Sequence, residues 1–124
     1  MIKKVIIGIL LLLTASLWFL ILSPYDITAG IGDSMSPTLK SGDLLIIKSP
    51  EEAIKPGTII VYNAGGDKII HRVVEVNGGT LKTKGDGNSW IDPWKIPISD
   101  VKGVYLFRIP YLGSVALIKN CWMK

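Results

Sequence analysis

Two residue types that build metal sites and disulfides are almost missing from this chain of 124 residues. It contains one cysteine, Cys121, and one histidine, His71, so it cannot form an intrachain disulfide or assemble a zinc site from histidine and cysteine ligands. We therefore expect no metal and no other cofactor. The simplest interpretation of Cys121 is a free thiol near the C-terminus, and cysteine usage does not indicate the redox compartment.

The chain also lacks any run of basic residues with interleaved aromatic side chains. Its formal net charge is +4, of which Lys3 and Lys4 supply part, while the other basic residues are dispersed. A dispersed basic excess argues against nucleic-acid binding. It fits a weak attraction to anionic lipid headgroups better.

What the sequence does have is a long apolar run at residues 5–22, which contains 18 residues without a charge. At ~1.5 Å per residue it would form a helix of about 27 Å, close to the hydrocarbon thickness of a bilayer. Lys3 and Lys4 precede the run, so the positive-inside rule predicts a cytoplasmic N-terminus and an external remainder. We predict a cytoplasmic tail and transmembrane anchor at residues 1–22 and an extracytoplasmic catalytic domain at residues 23–124.

A cleavable signal peptide is the alternative interpretation of the same run. The run is longer than the usual ~7–15 apolar residues of such a peptide, and no Ala-x-Ala sequence follows promptly. Both features favour an uncleaved anchor.

Downstream of the run, short apolar or β-branched segments alternate with turn signals. Gly, Asn and Asp clusters at residues 64–67 and 77–79 separate the segments, and no helical periodicity is sustained. The predicted strands lie at residues 43–48, 57–63, 67–76, 80–84 and 101–109. We therefore predict a mainly β protein, in which one N-terminal transmembrane helix precedes a small β domain. The apolar tail at residues 111–118 is too short to span a membrane and forms either a core helix or an interfacial segment.

Four residues suggest hydrolytic chemistry. A serine such as Ser34 becomes a nucleophile only when a base within hydrogen-bond reach removes its proton, and His71 is the histidine available. A neutral imidazole base usually needs a carboxylate on its second nitrogen, for which Asp86 and Asp92 are the candidates. Each signal has a simpler interpretation as well: turn residues for the serine and the two aspartates, and a buried core residue for the histidine.

Three motifs behind the apolar run resemble those of the membrane-bound type I signal peptidases, in the branch found in archaea, the endoplasmic reticulum and some Gram-positive bacteria. The motifs are Gly32-Asp33-Ser34-Met35-Ser36-Pro37-Thr38-Leu39 with the following Ser41-Gly42-Asp43, then Asp67-Lys68-Ile69-Ile70-His71-Arg72-Val73, then Lys84-Gly85-Asp86-Gly87-Asn88. The larger bacterial branch uses a lysine as base and carries a second β lobe. This chain has a histidine at the position of the base and is too short for that lobe.

The resemblance implies a catalytic role for each of the four residues. Ser34 would be the nucleophile, and His71 would be the general base and then the general acid. We expect Asp92 to be the partner of His71, and Asp86 to be the second candidate, holding the loop that presents Asp92. The backbone N–H of Ser34 would bind the oxyanion. Some bacterial members place a serine where this chain has Gly32, so a second oxyanion donor is not assigned.

The resemblance also implies the substrate and the location. A membrane-bound serine endopeptidase of this family removes signal peptides from secretory preproteins after small residues, at the cell membrane or the endoplasmic reticulum membrane, in association with the Sec translocon. An extended peptide can add as a strand beside exposed backbone, and residues 27–33 and 67–70 are the expected edges. The expected substrate contacts are Ile31, Gly32, Asp33, Met35, Ile69 and Ile70.

Two alternatives belong to other functional classes. A Ser–Lys hydrolase would use Lys68, Lys82 or Lys84 as base, and such a lysine must be desolvated to act near neutral pH. A membrane-anchored β module without enzymatic activity would use Ser34 only as a turn residue and His71 only as a core residue. Labelling of Ser34 by an acylating probe, and loss of that labelling in His71→Ala, separates both alternatives from the Ser–His hydrolase.

Overall fold

A computed structural model describes residues 1–30 and 32–110 of the chain. The described residues form one α-helix, seven β-strands and one short 3₁₀ helix (Ile98–Asp100). The helix is α1 (Ile2–Leu22), and the strands are β1 (Tyr25–Ala29), β2 (Leu44–Lys48), β3 (Ile59–Ala64), β4 (Asp67–Asn77), β5 (Thr80–Lys84), β6 (Ile96–Pro97) and β7 (Val101–Ile109). The predicted mainly β fold behind an apolar helix is confirmed. The predictions for Ile31, residues 111–118 and Cys121 lie outside the described residues.

Helix α1 is long and apolar enough to cross a membrane. Its 21 residues would extend roughly 31 Å at ~1.5 Å per residue, and none of them is buried against the rest of the chain. A helix that is apolar on every side needs apolar surroundings, which a bilayer supplies. The helix ends at Leu22, and β1 begins three residues later at Tyr25, so the sheet begins close to the end of the helix.

The strands form one antiparallel sheet in the order β1-β2-β7-β3-β4-β5-β6. Strand β3 lies at its centre, and its first four residues are all buried. Successive side chains of a strand point to opposite faces, so four buried residues in a row mean that both faces are covered. This explains why the sequence of β3 is a continuous apolar run and not an alternating one.

The two faces carry separate apolar clusters. The first cluster consists of Ile54, Ile60, Tyr62, Val73, Leu81, Ile96 and Val101. The second consists of Met35, Leu39, Leu45, Ile47, Ile59 and Val61. Because Met35 and Leu39 belong to the loop that contains Ser34, the second cluster attaches that loop to the sheet.

Among the strand edges that remain unpaired within the described part of the chain are those of β1 and of the first half of β4. Strand β1 is the first strand of the sheet, and β5 pairs only with the part of β4 from Arg72 to Asn77. The preceding residues of β4 therefore have backbone groups that no neighbouring strand covers on that side. These edges coincide with most of the segments that the sequence predicted as substrate edges.

The strand boundaries differ from the predictions in small ways with local causes. The predicted strand at residues 43–48 begins at Leu44, because the Asp43 carboxylate accepts the Lys40 N–H at 2.9 Å and closes the preceding turn. The strands β1 and β6 were not predicted individually. Strand β6 has two residues, too few for a periodic pattern.

Candidate active site

The loop that carries Ser34 is fixed by its apolar neighbours. Met35 and Leu39 are buried, and the Leu39 N–H donates to the Met35 carbonyl at 2.9 Å. The Ser36 N–H donates to the Asp33 carbonyl at 3.0 Å, which closes a turn around Ser34. The Gly-Asp-Ser segment is therefore a turn, as its composition indicates, but a turn whose next residue lies in the core.

A glycine-rich turn lies directly against this loop. The Gly87 N–H donates to the Ser34 carbonyl at 2.8 Å. A Cβ atom at Gly85 would lie 2.4 Å from the same carbonyl oxygen, and one at Gly87 would lie 2.9 Å from the Asp33 carbonyl. Both glycines are required because backbone approaches backbone here more closely than any side chain allows.

The same turn brings the Ser34 loop close to His71. In the register of β4 and β5, Lys84 lies opposite Arg72, so Gly85 follows at the level of His71. The Ser34 loop packs on Gly85 and thus lies beside β4 at the end of β5. As a result, Ser34 and His71 line one open cavity of ≈ 510 Å³.

His71 and Asp92 form a buried pair. His71 is 6% exposed and Asp92 is 5% exposed, and the His71 Nδ1 atom lies 2.5 Å from Asp92 Oδ2. The Asp92 N–H donates to the Thr83 carbonyl at 2.8 Å, which fixes the loop that carries the carboxylate. When Nδ1 donates to a carboxylate, Nε2 of a neutral imidazole carries the lone pair and can accept a proton.

Asp86 has different partners. Its carboxylate accepts two hydrogen bonds from Arg72, from Nε at 2.9 Å and from Nη2 at 2.7 Å, and a third from the Thr38 hydroxyl at 2.6 Å. The Arg72 guanidinium lowers the pKa of Asp86 below its ordinary value, although partial burial opposes that effect. Thr38 belongs to the Ser34 loop, so Asp86 connects that loop to β4. Its hydrogen bonds go to Arg72 and to the Ser34 loop rather than to the loop that presents Asp92, which differs from the expected arrangement.

The predicted substrate contacts divide into three groups. Gly32, Met35, Ile69 and Ile70 line the cavity. Asp33 is exposed and does not belong to its lining. Ile31 lies outside the residues that the structure describes.

Of the three lysines named as alternative bases, Lys68 lines the cavity. Its Nζ donates to the Thr28 hydroxyl, and burial lowers its pKa while Asp26 partly opposes that effect. Lys82 lies 3.9 Å from Glu75 in an ion pair on the β4–β5 hairpin. Lys84 lies opposite Arg72 on β5, outside the cavity lining.

Several supporting residues were not predicted from the sequence, namely Thr38, Tyr62, Arg72 and Thr83. One signal for Thr83 was present, because the period of two along β5 places it on the same inward face as Leu81. Arg72 and Thr38 were inside the quoted motifs, but only the folded chain shows that they share one carboxylate.

The chain is similar in sequence to known peptidases. A family model described as peptidase S24-like matches residues 22–104, a span that contains the serine, the histidine and both aspartates. The signal peptidase complex catalytic subunit SEC11 of Metarhizium acridum is 30% identical over 119 residues, covering 82% of this chain and 69% of the relative. The SEC11 subunit of Yarrowia lipolytica is 30% identical over 112 residues, covering 76% and 64%. That of Zygosaccharomyces rouxii is 32% identical over 105 residues, covering 70% and 61%.

Proposed function

The chain belongs to the type I signal peptidases of the endoplasmic-reticulum type, and we propose that Ser34, His71 and Asp92 are its catalytic residues. It is a serine peptidase that removes signal peptides from secretory preproteins. The observation that carries the assignment is the buried His71–Asp92 pair, whose imidazole lines the same cavity as Ser34. A core histidine without a catalytic role would not need an open cavity shared with a serine.

The reaction follows from the order of proton transfers. Nε2 of His71 takes the proton of the Ser34 hydroxyl as Oγ attacks the carbonyl carbon of the scissile bond. The backbone N–H of Ser34 donates to the oxyanion of the tetrahedral intermediate. The imidazolium then protonates the leaving amine, and a water activated by His71 hydrolyses the acyl-enzyme. Asp92 orients the imidazole and stabilises its charged form throughout.

The substrate peptide binds as an extended strand between the free edges of β1 and β4. Main-chain hydrogen bonds to those edges would give affinity, and alternate side chains would enter the cavity beside Met35 and Ile70. Met35, Leu39 and Ile70 contribute apolar side chains to the cavity that Ser34 lines, which suits small uncharged residues before the scissile bond.

Helix α1 anchors this site beside the membrane. We assign residues 1–22 to the anchor and residues 23–124 to the catalytic domain, with the N-terminus in the cytoplasm, as Lys3 and Lys4 indicate. The cavity then lies close to the end of the hydrophobic stretch of a signal peptide. Association with the Sec translocon would deliver preproteins to it, and the SEC11 relatives are named as subunits of a complex, which supports assembly with partner subunits.

Preprotein cleavage by the full chain in detergent micelles tests the assignment. We expect Ser34→Ala and His71→Ala to lose nearly all activity, because each removes a group that takes part in bond making or proton transfer. The neighbouring Ser36→Ala is the matched control and should remain active. Full cleavage by either active-site variant would overturn the proposal. Cleavage by none of the folded proteins, including the wild type, would favour the β module.

A Ser–Lys mechanism is a second candidate that one observation favours. Lys68 lines the cavity, and burial lowers its pKa, as a lysine base requires. Its ammonium is, however, already bonded to Thr28. We expect Lys68→Met to retain most activity, and an inactive Lys68→Met together with an active His71→Ala would establish the lysine as the base.

A further inference from the structure

Behind Asp92, a chain of buried hydroxyl groups extends to an indole at the surface. Thr83 Oγ1 lies 2.6 Å from Asp92 Oδ2, and Tyr62 Oη lies 3.1 Å from Thr83 Oγ1. Trp94 Nε1 donates to Tyr62 Oη at 3.1 Å. Tyr62 and Thr83 are 0% exposed, whereas Trp94 is 41% exposed, so the chain runs from the protein surface to the carboxylate.

The chemistry of these groups fixes the direction of each hydrogen bond. An indole N–H can only donate, so the Tyr62 oxygen accepts from Trp94 and its own proton must point elsewhere. That proton points to Thr83 Oγ1, or to Asp92 Oδ2 at 3.4 Å. Thr83 in turn donates to Asp92. Burial raises the pKa of the Tyr62 phenol, so it remains a donor across the neutral range. The hydrogen bonds that link Trp94, Tyr62 and Thr83 to Asp92 are therefore all donated in the direction of the carboxylate.

The direction of these hydrogen bonds favours one tautomer of His71. The oxygen that accepts from Thr83 is the one that lies 2.5 Å from His71 Nδ1. A carboxylate oxygen that already accepts a hydroxyl proton is suited to accept from Nδ1–H and not to donate to it. The imidazole then carries its proton on Nδ1 and its lone pair on Nε2, which is the form that a general base requires.

We propose that Thr83 and Tyr62 are positioning residues for the Asp92–His71 pair. Trp94 is the surface end of this series of hydrogen bonds. Thr83 holds the carboxylate twice, through its hydroxyl and through its carbonyl, which accepts the Asp92 N–H. The proposal rests on the proposed function, because it assigns the hydroxyls to the same reaction. A merely structural role for the hydroxyls would affect stability, since buried polar groups need partners, but it would not select the tautomer of His71.

Steady-state cleavage of a preprotein by the full chain in detergent micelles provides the first test. Thr83→Val removes the hydroxyl and keeps the shape, and we expect kcat to fall roughly ten- to hundredfold with KM changed less than about twofold, the effect of one charge-assisted hydrogen bond. Thr83→Ser should restore most of kcat. Tyr62→Phe should lower kcat roughly two- to tenfold. Because both hydroxyls act in one chain, the double variant should lose less than the product of the two.

The matched control is Thr80→Val on the same strand. The Thr80 hydroxyl bonds to the Asn77 carbonyl and not to the site, so its loss should leave kcat unchanged. Equal losses of kcat in Thr80→Val and Thr83→Val would overturn the proposal. If Thr83→Val does not fold, the same test compares kcat of Tyr62→Phe, which loses a hydroxyl, with kcat of Thr83→Ser, which keeps one.

Proton NMR of the imidazole gives a readout that does not depend on activity. The chain has one histidine, so its ring N–H signal needs no further assignment. A strong Nδ1–H···Oδ2 hydrogen bond places this signal far downfield in the wild type, and Thr83→Val should move it upfield or broaden it, whereas Thr80→Val should not. An unmoved signal with unchanged kcat in Thr83→Val would overturn the positioning role, while inactive Ser34→Ala and His71→Ala would leave the proposed function intact. Full activity of His71→Ala would instead overturn the proposed function itself.

Discussion

Two aspartates that lie six residues apart have been placed in different surroundings by the fold. Asp92 is buried beside an imidazole and a threonine hydroxyl. Asp86 is only partly buried and bonds to the Arg72 guanidinium and the Thr38 hydroxyl. One carboxylate thus faces a group that gains and loses a proton, and the other faces a group that is always charged.

The two carboxylates therefore have different roles in the proposed site. Asp86 holds a permanent ion pair that fixes the loop of the nucleophile through Thr38. In the proposed mechanism, Asp92 stabilises a charge that His71 carries for only part of the reaction. We therefore expect the first carboxylate to contribute to architecture and the second to catalysis, although the sequence presents both as aspartates beside turn residues.

The largest expected effect is the loss of the Asp92 charge. We expect Asp92→Asn to lower kcat roughly 10³–10⁴-fold, because an amide donates to Nδ1 and favours the wrong tautomer. Asp86→Asn should lower kcat only about tenfold, because the asparagine oxygen still accepts one of the original hydrogen bonds. Steady-state cleavage of a preprotein by both variants, with folding checked by circular dichroism, measures the ratio. Similar losses in the two variants would remove the distinction between the two carboxylates.

The next effect concerns the turn that carries Asp86. A Cβ atom in Gly85→Ala would lie 2.4 Å from the Ser34 carbonyl oxygen, so the nucleophile loop must shift. A misplacement of the reacting atom by about 1 Å can lower kcat about 10²-fold. Gly79→Ala, where nothing lies within 4 Å of the new atom, is the control and should remain active. Unchanged cleavage by Gly85→Ala would show that the close approach does not position Ser34.

The smallest effect is a pH dependence of stability that originates at Asp86. Arg72 lowers the pKa of Asp86 in the folded chain below the ordinary value of 3.8. A depressed pKa contributes stability that is fully present above the unfolded-state value and is lost as the pH falls through the folded-state value. The urea midpoint of the wild type should therefore decrease below about pH 4.

In Asp86→Asn that part of the decrease should be absent. The difference between the two urea midpoints should accordingly be larger at pH 7 than at pH 3. A constant difference across this range would mean that the ion pair with Arg72 contributes nothing to the stability of the folded chain.

Much of the fold could be predicted from the sequence because its signals are local. Eighteen uncharged residues specify a helix that needs apolar surroundings, and the β-branched segments specify strands. The strand at Thr80–Lys84 was predicted with its observed boundaries because Asn77-Gly78-Gly79 is a strong turn signal. Strand β1 was harder to predict, because only two of its five residues are buried and its apolar pattern is correspondingly weak.

The candidate site divides in the same way. The types of the candidate catalytic residues could be predicted from the sequence, because hydrolysis by a serine needs a base and the chain has a single histidine. The hydrogen-bond partners of Asp86 could not be predicted from the sequence, since Arg72 and Thr38 lie 14 and 48 residues from it along the chain. The hydrogen bond between Trp94 and Tyr62 could not be predicted either, because it joins residues 32 apart.

The sequence by itself determined which elements and chemical groups are available: an apolar N-terminal helix, a set of strands, a serine, one imidazole and two candidate carboxylates. These follow from composition and short-range periodicity, which do not depend on how the chain closes. Only the tertiary structure decided which carboxylate faces His71, because that choice depends on the register of β4 and β5 and on the burial of Tyr62 and Thr83. Hydrogen bonds between residues distant in sequence depend on the assembled sheet, so no local pattern can specify them.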